Sequence, residues 1–438
     1  MSAVQVPSTI SRPKAFGGTA FLGVTTLVYL VTKATAFFAP MMLARSLGVE
    51  KYGEIELALA WGTPCAVLAG VGLTASVPYF LLKLEKAESS RVFYFHVLWT
   101  TVVLTALALL ASWHGDMVVS LALMITGIFA AQNIFSSMLK TFGQPAAASF
   151  LEVALYCVLF LYLLVFVAIH RPLNMERCFA SILGTSIAFI AVTTYLLFRE
   201  PAVTPMRPLY AATVRFGLPV ILTSLLNTVL LSGGRILLGI FLGVRDVGIF
   251  SLLFRMSAAA VVVHQLLVSV IFPKLYRGNE RLLDRYLFAI QSAVLIAALS
   301  VWVVGWPIGL RLFPALRGDP GIHSVMLVVA LQMFYWCSSA QVEFILYREN
   351  LANHYAIWLS SAFALLIAGS YALSALGFAS LMSLTRWQMV VMCIKVIGDM
   401  VLLRKGGVKL RLPVWLNVGV FAAYWLEESV RAYLIAHR

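Results

Sequence analysis

Charge is what this sequence has little of. Only 11% of its 438 residues are Asp, Glu, Lys or Arg and 61% are hydrophobic, whereas a soluble domain carries roughly 25% charged residues. Too few polar side chains remain to cover a water-facing surface, which excludes a soluble fold. Acids are the scarcest group: 18 Asp and Glu stand against 32 Lys and Arg, a net charge of +14. The excess does not indicate nucleic-acid binding. The Lys and Arg occupy short segments between long apolar runs, where membrane proteins carry the charge that sets topology. Cysteine is sparse too: Cys65, Cys157, Cys178, Cys337 and Cys393 form no CxxC pair and have no histidine at ligand spacing. A thiolate metal site is therefore not expected, and the five read as small buried hydrophobes. No GxxxxGK is present, which argues against direct ATP coupling through a P-loop. No cofactor is expected.

What is present is a series of apolar runs. About twelve are long enough for a hydrocarbon core of roughly 30 Å, which needs about 20 helical residues. They lie near 19–43, 53–82, 92–113, 117–139, 146–169, 177–198, 216–242, 247–272, 286–309, 324–346, 354–375 and 380–403. The first follows Arg12 and Lys14, is too long for a signal-peptide core, and reads as a retained span. With the N-terminus inside, inner loops and tails up to Arg411 hold 18 Lys and Arg, and outer loops hold 7 when Arg177 at the edge of its span is counted with them. The positive-inside rule then places both termini in the cytoplasm of a multi-pass inner-membrane protein. Beyond Arg404 only 414–426 is apolar. A helix of that length rises about 20 Å, too short to span, so a short interfacial helix is expected and a partial thirteenth span is the alternative.

An internal repeat organises the spans. Leu47-Gly48-Val49 followed by Gly53 recurs as Leu242-Gly243-Val244 followed by Gly248, an offset of 195 residues that also relates Pro78 to Pro273. The glycine pairs fall in the connection between the first two spans of each half, where a tight turn needs a permissive backbone. Six spans per half in the same orientation form a parallel repeat, an arrangement transporters use to enclose a central cavity. The expectation is an all-α membrane protein of two pseudo-symmetric six-helix lobes, 1–198 and 216–403. A cytoplasmic linker, 199–215, joins them, and a basic segment with the interfacial helix, 404–438, follows.

Charges inside spans are costly and therefore candidates for function. Counting 1.5 Å per residue from the outer turns puts Arg235, Arg255 and Arg386 roughly 9–12 Å deep. Lys33, His264 and Lys395 lie about 23 Å deep on the same count. Two basic layers suit an anion with two phosphates, since guanidinium binds phosphate bidentately and ammonium supplies a point charge. Lys33 and Arg235 stand out, because the first and seventh spans are equivalent and neither contains a carboxylate. Arg255 joins them unless a neighbouring Glu or carbonyl satisfies it. Arg386 can instead snorkel outward beside Trp387. Lys395 and Asp399, four apart, are expected to neutralise each other. Asn227 and Tyr29 give the seventh and first spans a polar side for sugar hydroxyls, or for helix–helix hydrogen bonds. His264, Glu343 and Asp399 are candidate proton sites.

The run Leu43-Ala44-Arg45-Ser46-Leu47-Gly48 to Tyr52-Gly53 resembles the first inter-span turn of O-antigen and exopolysaccharide flippases, in the multidrug/oligosaccharidyl-lipid/polysaccharide exporter superfamily. Phe216-Gly217-Leu218-Pro219, Gly234-Arg235, Leu242-Gly243 and Val247-Gly248-Ile249-Phe250 are similar to that family's second half. The resemblance implies alternating access and a polyprenyl-pyrophosphate-linked oligosaccharide whose lipid tail stays in the bilayer. It also implies partners in the membrane lipid, the polysaccharide polymerase and the chain-length machinery. The chain departs from the pattern at Gly234, where members often have an acid, and at Phe250, where they have tyrosine. The first departure leaves Arg235 to meet substrate or to pack differently. Two other readings stand beside this one. A cation-coupled drug exporter needs a buried acid in the first or seventh span, and neither has one. A membrane polymerase or ligase needs an acid–base pair on a large outer loop. The longest such loop, 311–323, has 13 residues and one acid, Asp319, between Gly318 and Pro320, a turn-forming setting.

Overall fold

The computed structural model describes residues 19–84, 89–170, 173–200, 206–277, 280–313, 316–317, 321–349 and 351–437, which form helices and no strand. The first half comprises α1 (Thr19–Leu47), α2 (Val49–Ala69), α3 (Leu73–Pro78), α4 (Ser89–Trp113), α5 (Met117–Thr141), α6 (Pro145–Glu152), α7 (Ala154–Ala168) and α8 (Met175–Arg199). The second comprises α9 (Met206–Phe241), α10 (Val244–Ser257), α11 (Ala259–Arg277), α12 (Glu280–Ser300), α13 (Trp306–Leu312), α14 (Ile322–Arg348), α15 (Ala352–Ala375) and α16 (Leu381–Lys405), with α17 (Leu412–Ala436) after it. Among them 8 helices are long and apolar enough to cross a membrane, or up to 10 if two bent pairs each count as one span. The first and twelfth expected spans are α1 and α16. Asp319 and the Tyr29 side chain lie outside the described residues.

Local chemistry sets where helices begin. Asp116 caps α5 by accepting from the Val119 amide at 3.0 Å, and Asn174 caps α8 by accepting from the Arg177 amide at 3.0 Å. Ser380 and Ser383 form a reciprocal capping box at the start of α16. The second span bends by 46° between α2 and α3, and the fifth by 62° between α6 and α7. Met206 onward, expected as linker, is already helical and runs unbroken through α9 for 36 residues. The segment expected as a short helix over 414–426 is instead a 25-residue helix, α17, packed along α12 and α16.

The repeated glycines serve two different purposes. Gly48 (φ 79°) and Gly243 (φ 120°) have the positive φ that makes the tight α1–α2 and α9–α10 turns. Gly53 and Gly248 sit inside α2 and α10 and permit close approach of the two halves. A Cβ on Gly53 would lie 1.9 Å from the Val244 carbonyl oxygen, and one on Gly248 would lie 2.1 Å from that of Val49. The sequence reading, which gave all four to the turns, is corrected in this respect. The two halves of the chain are thus packed against each other on the face that carries these turns, called the turn face below. One hydrophobic core there draws Leu43, Tyr52 and Ile55 from the first half and Leu238, Val247 and Leu252 from the second.

Near the opposite end, the linker face, α9 is tied to the first lobe. Gly72 and Gly217 touch so closely that a Cβ on Gly72 would sit 2.2 Å from the Gly217 carbonyl oxygen. Ser76 Oγ donates to the Thr213 carbonyl at 2.8 Å, His96 Nδ1 pairs with Tyr210 Oη at 2.8 Å, and Tyr79 stacks on Phe216 at 4.0 Å.

Candidate functional site

Behind the closed turn face lies a buried ion-pair network that spans both lobes. Tyr52 and Glu56, one helical turn apart on α2, are both fully buried. The Glu56 carboxylate accepts from Tyr52 Oη at 2.8 Å and, across the lobe boundary, from Arg235 Nη1 on α9 at 2.9 Å. Arg255 on α10 donates to the same carboxylate through Nη2 at 3.1 Å and Nε at 3.3 Å. Arg255 Nη2 also donates to Tyr156 Oη at 3.2 Å, and the Arg235 guanidinium lies over the Phe254 ring at 5.0 Å. Both carboxylate oxygens thus face at least one donor, which is how a charge is tolerated away from water. One carboxylate against two guanidiniums leaves one positive charge in excess. Arg235 Nε has no hydrogen-bond partner among the described residues.

Sequence reasoning singled out both arginines and missed Glu56. The signal was available: Glu56 follows Gly48 by eight residues, and Arg235 precedes Gly243 by eight. The depth count that found the arginines places Glu56 at the same level. Arg235 is therefore differently packed, salt-bridged across the lobes, and is not left without an acid. The two departures from the family pattern sit together. A Cβ on Gly234 would lie 2.1 Å from Gln388 Oε1 and 3.1 Å from the Phe250 ring. The glycine makes room for Gln388, whose Nε2 donates to the Leu230 carbonyl at 3.1 Å.

A second polar cluster lies inside the C-terminal lobe around a cavity of about 160 Å³ lined by Asn227, Trp336, Ser339, Glu343 and Lys395, among others. Lys395 Nζ donates to Asp399 at 2.9 Å, to Tyr355 Oη at 3.2 Å and to Ser339 Oγ. Asn227 Nδ2 donates to Glu343 at 2.9 Å and its oxygen accepts from Tyr355 Oη at 3.1 Å. Asn227, Glu343 and the Lys395–Asp399 pair, separate candidates in the sequence, thus belong to one network joining α9, α14, α15 and α16. His264 lies beside Trp336, ring centroids 6.4 Å apart, and neither of its ring nitrogens has a hydrogen-bond partner among the described residues.

The remaining candidates stand apart from the arginine pair. Lys33 is half-buried on α1 with Glu152 and Lys140 as charged neighbours. Arg386, expected in one layer with Arg235 and Arg255, is engaged by α17: its Nε donates to Tyr424 Oη at 2.7 Å and its Nη2 pairs with Glu428. A larger cavity, about 780 Å³, lies within the first lobe between α4, α5, α7 and α8 and is lined by no charged side chain.

The described residues thus form an all-helical membrane protein with 8 to 10 candidate spans, in which a buried charge network ties the first half of the chain to the second. The chain belongs to the polysaccharide biosynthesis protein family, whose model matches residues 21–278. Its fold is similar to that of a multidrug resistance MATE family transporter of the MOP superfamily. An inward-facing structure of this description gives a TM-score of 0.58 at 15% identity, covering 87% of this chain and 98% of the other. An outward-facing structure of this description gives 0.52 at 16% identity, covering 92% and 95%. No curated protein matches the sequence.

Proposed function

We propose that this protein is a flippase that moves a polyprenyl-pyrophosphate-linked oligosaccharide, such as an O-antigen or exopolysaccharide repeat unit, across the inner membrane by alternating access. The observation that carries the reading is the net-positive network of Glu56, Arg235 and Arg255 between the lobes. In the closed state Glu56 is the counter-ion of both arginines. A diphosphate reaching this level offers the guanidiniums a bidentate partner of higher charge. Exchange of the carboxylate for phosphate then releases α2 from α9 and α10, and the lobes part at the turn face. Lys33, deeper on α1, extends the basic path. Asn227, Lys395 and Tyr29 remain candidates for the sugar hydroxyls, and Arg386 is a weaker one because α17 already holds it. The tail stays in the bilayer throughout, and no bond is made or broken.

Family membership supports the saccharide. The drug-exporter reading has no comparable support, since α1 and α9 contain no acid. Labelled lipid-linked oligosaccharide in proteoliposomes tests the proposal. Wild type is expected to deliver it to the opposite leaflet, and Arg235→Ala, at equal incorporation, to lose at least tenfold in rate. Equal transport by both would keep the flippase and discard the site. Transport by neither, beside a working control flippase, would discard the reading.

A further inference from the structure

Helix α17 failed the sequence test for a span, because its apolar run is short and is followed by Glu427, Glu428 and Arg431. Its contacts bear on the question independently of composition. At its start the Lys409 amide donates to Glu280 at 3.0 Å, and the Arg411 and Leu412 amides donate to Asp284 at 2.7 and 3.1 Å, all on the first turns of α12. Two turns on, Asn417 Nδ2 donates to Gln291 at 3.0 Å, and the Asn417 carbonyl accepts from Tyr335 Oη at 3.4 Å, mid-way along α14. Further along, Tyr424 and Glu428 meet Arg386, in the second turn of α16. Last, Arg431 Nη1 donates to Ser324 Oγ at 2.8 Å, in the first turn of α14.

The partners advance steadily along α12 and retreat steadily along α14. A helix lying in the interfacial plane meets its neighbours at one depth. This one climbs from the linker face to the turn face. From Arg411 to Arg431 the rise is about 30 Å, the thickness of the hydrocarbon core.

We infer that α17 is a thirteenth transmembrane helix, so that the chain entering it and the chain leaving it lie on opposite sides of the membrane. The charges that defeat the hydropathy test are all engaged. Glu428 pairs with Arg386, Glu427 pairs with Arg431 at 2.6 Å, and both pairs sit near the turn face, where water and headgroups lie. Asn417, the polar residue at mid-depth, is fully buried and hydrogen-bonded to the lobe. The opposite side of the helix presents Trp415, Trp425, Leu426, Val430 and Tyr433, exposed apolar and aromatic side chains suited to lipid. The helix contacts α12 from the linker face to mid-depth, and α14 and α16 from there to the turn face. The inference does not depend on the substrate.

Single cysteines at three exposed positions, in the full chain with its native cysteines replaced, test this with a membrane-impermeant maleimide. Lys51→Cys marks the turn face, Lys405→Cys the linker face, and His437→Cys the end of α17. Labelling of 437 from the same side as 51, with 405 labelled from the other, is expected. Labelling of 437 from the side of 405 overturns the inference. Should the cysteine-free chain fail to fold, a protease site appended after the last residue of the unaltered chain gives the same answer. Cleavage from outside in spheroplasts, where the Lys51 side is outside, supports the thirteenth span, and cleavage only in inverted vesicles overturns it.

Discussion

Glu56 holds two guanidiniums that come from the other half of the chain, so its removal does more than delete one contact. A buried pair stripped of one member leaves the other charged and unsolvated, typically at a cost of about 3–5 kcal/mol. Glu56→Gln is therefore expected to lower the unfolding midpoint in detergent by an amount equivalent to about 3 kcal/mol. Adding Arg255→Met returns the network to its original net charge and should recover part of the loss, a non-additivity of about 0.5–3 kcal/mol. A Glu56→Gln protein as stable as wild type would mean that the pair does not hold the lobes together. The arginines were legible in sequence because an unpaired charge inside an apolar run is conspicuous. Glu56 was passed over because it lies only three residues past Gly53, at the start of its apolar run, although the count from Gly48 places it level with the arginines. Its Arg235 partner lies 179 residues away, and no local pattern contains that distance.

At the level of helices, apolar length fixed most of the spans, and the 195-residue offset located the matching turns. Two things escaped for the same reason, that tertiary partners changed what a residue means. The segment after Arg411 read as a short interfacial helix until Arg386 is seen to pair with Glu428, and Arg431 with Glu427 and Ser324. Gly53 and Gly248 read as turn residues until each is seen against the carbonyl of the opposite helix. That contact makes a prediction about α2 and α10. Gly53→Val places a Cβ within 1.9 Å of a backbone oxygen that has no freedom to move alone, so the two helices must separate. Ser251, fully buried on α10, reports on the separation when changed to cysteine. In an otherwise cysteine-free chain it should resist a soluble maleimide, and should label at least tenfold faster once Gly53→Val is added. Gly184→Val is the control, because a Cβ there meets nothing within 4 Å. Equal labelling in all three would show that closure does not depend on the glycine contact.

For the molecule as a whole, the turn face is closed by a shared core, a glycine contact and an ion-pair network, while α9 binds the first lobe near the linker face. A transporter that alternates must break the first set of contacts in every cycle, so a covalent link across it should stop transport without disturbing the fold. Leu57 on α2 and Gly239 on α9 offer the place. A Cβ built on Gly239 lies 3.5 Å from Leu57 Cγ, and its three nearest neighbours are all atoms of that leucine side chain. Leu57→Cys with Gly239→Cys removes the obstruction and puts the new sulfur at 57 close to the position of Leu57 Cγ, next to the Cβ at 239, so that the pair is a candidate for cross-linking. In a background without the native cysteines, the oxidised pair is expected to fold normally and to deliver no lipid-linked oligosaccharide in proteoliposomes. Dithiothreitol is expected to restore transport to the level of either single variant. Full transport by the oxidised protein, with the cross-link verified by mass spectrometry, would show that α2 and α9 stay together during the cycle. The Glu56 network would then be a structural tie, and opening would have to occur elsewhere between the lobes.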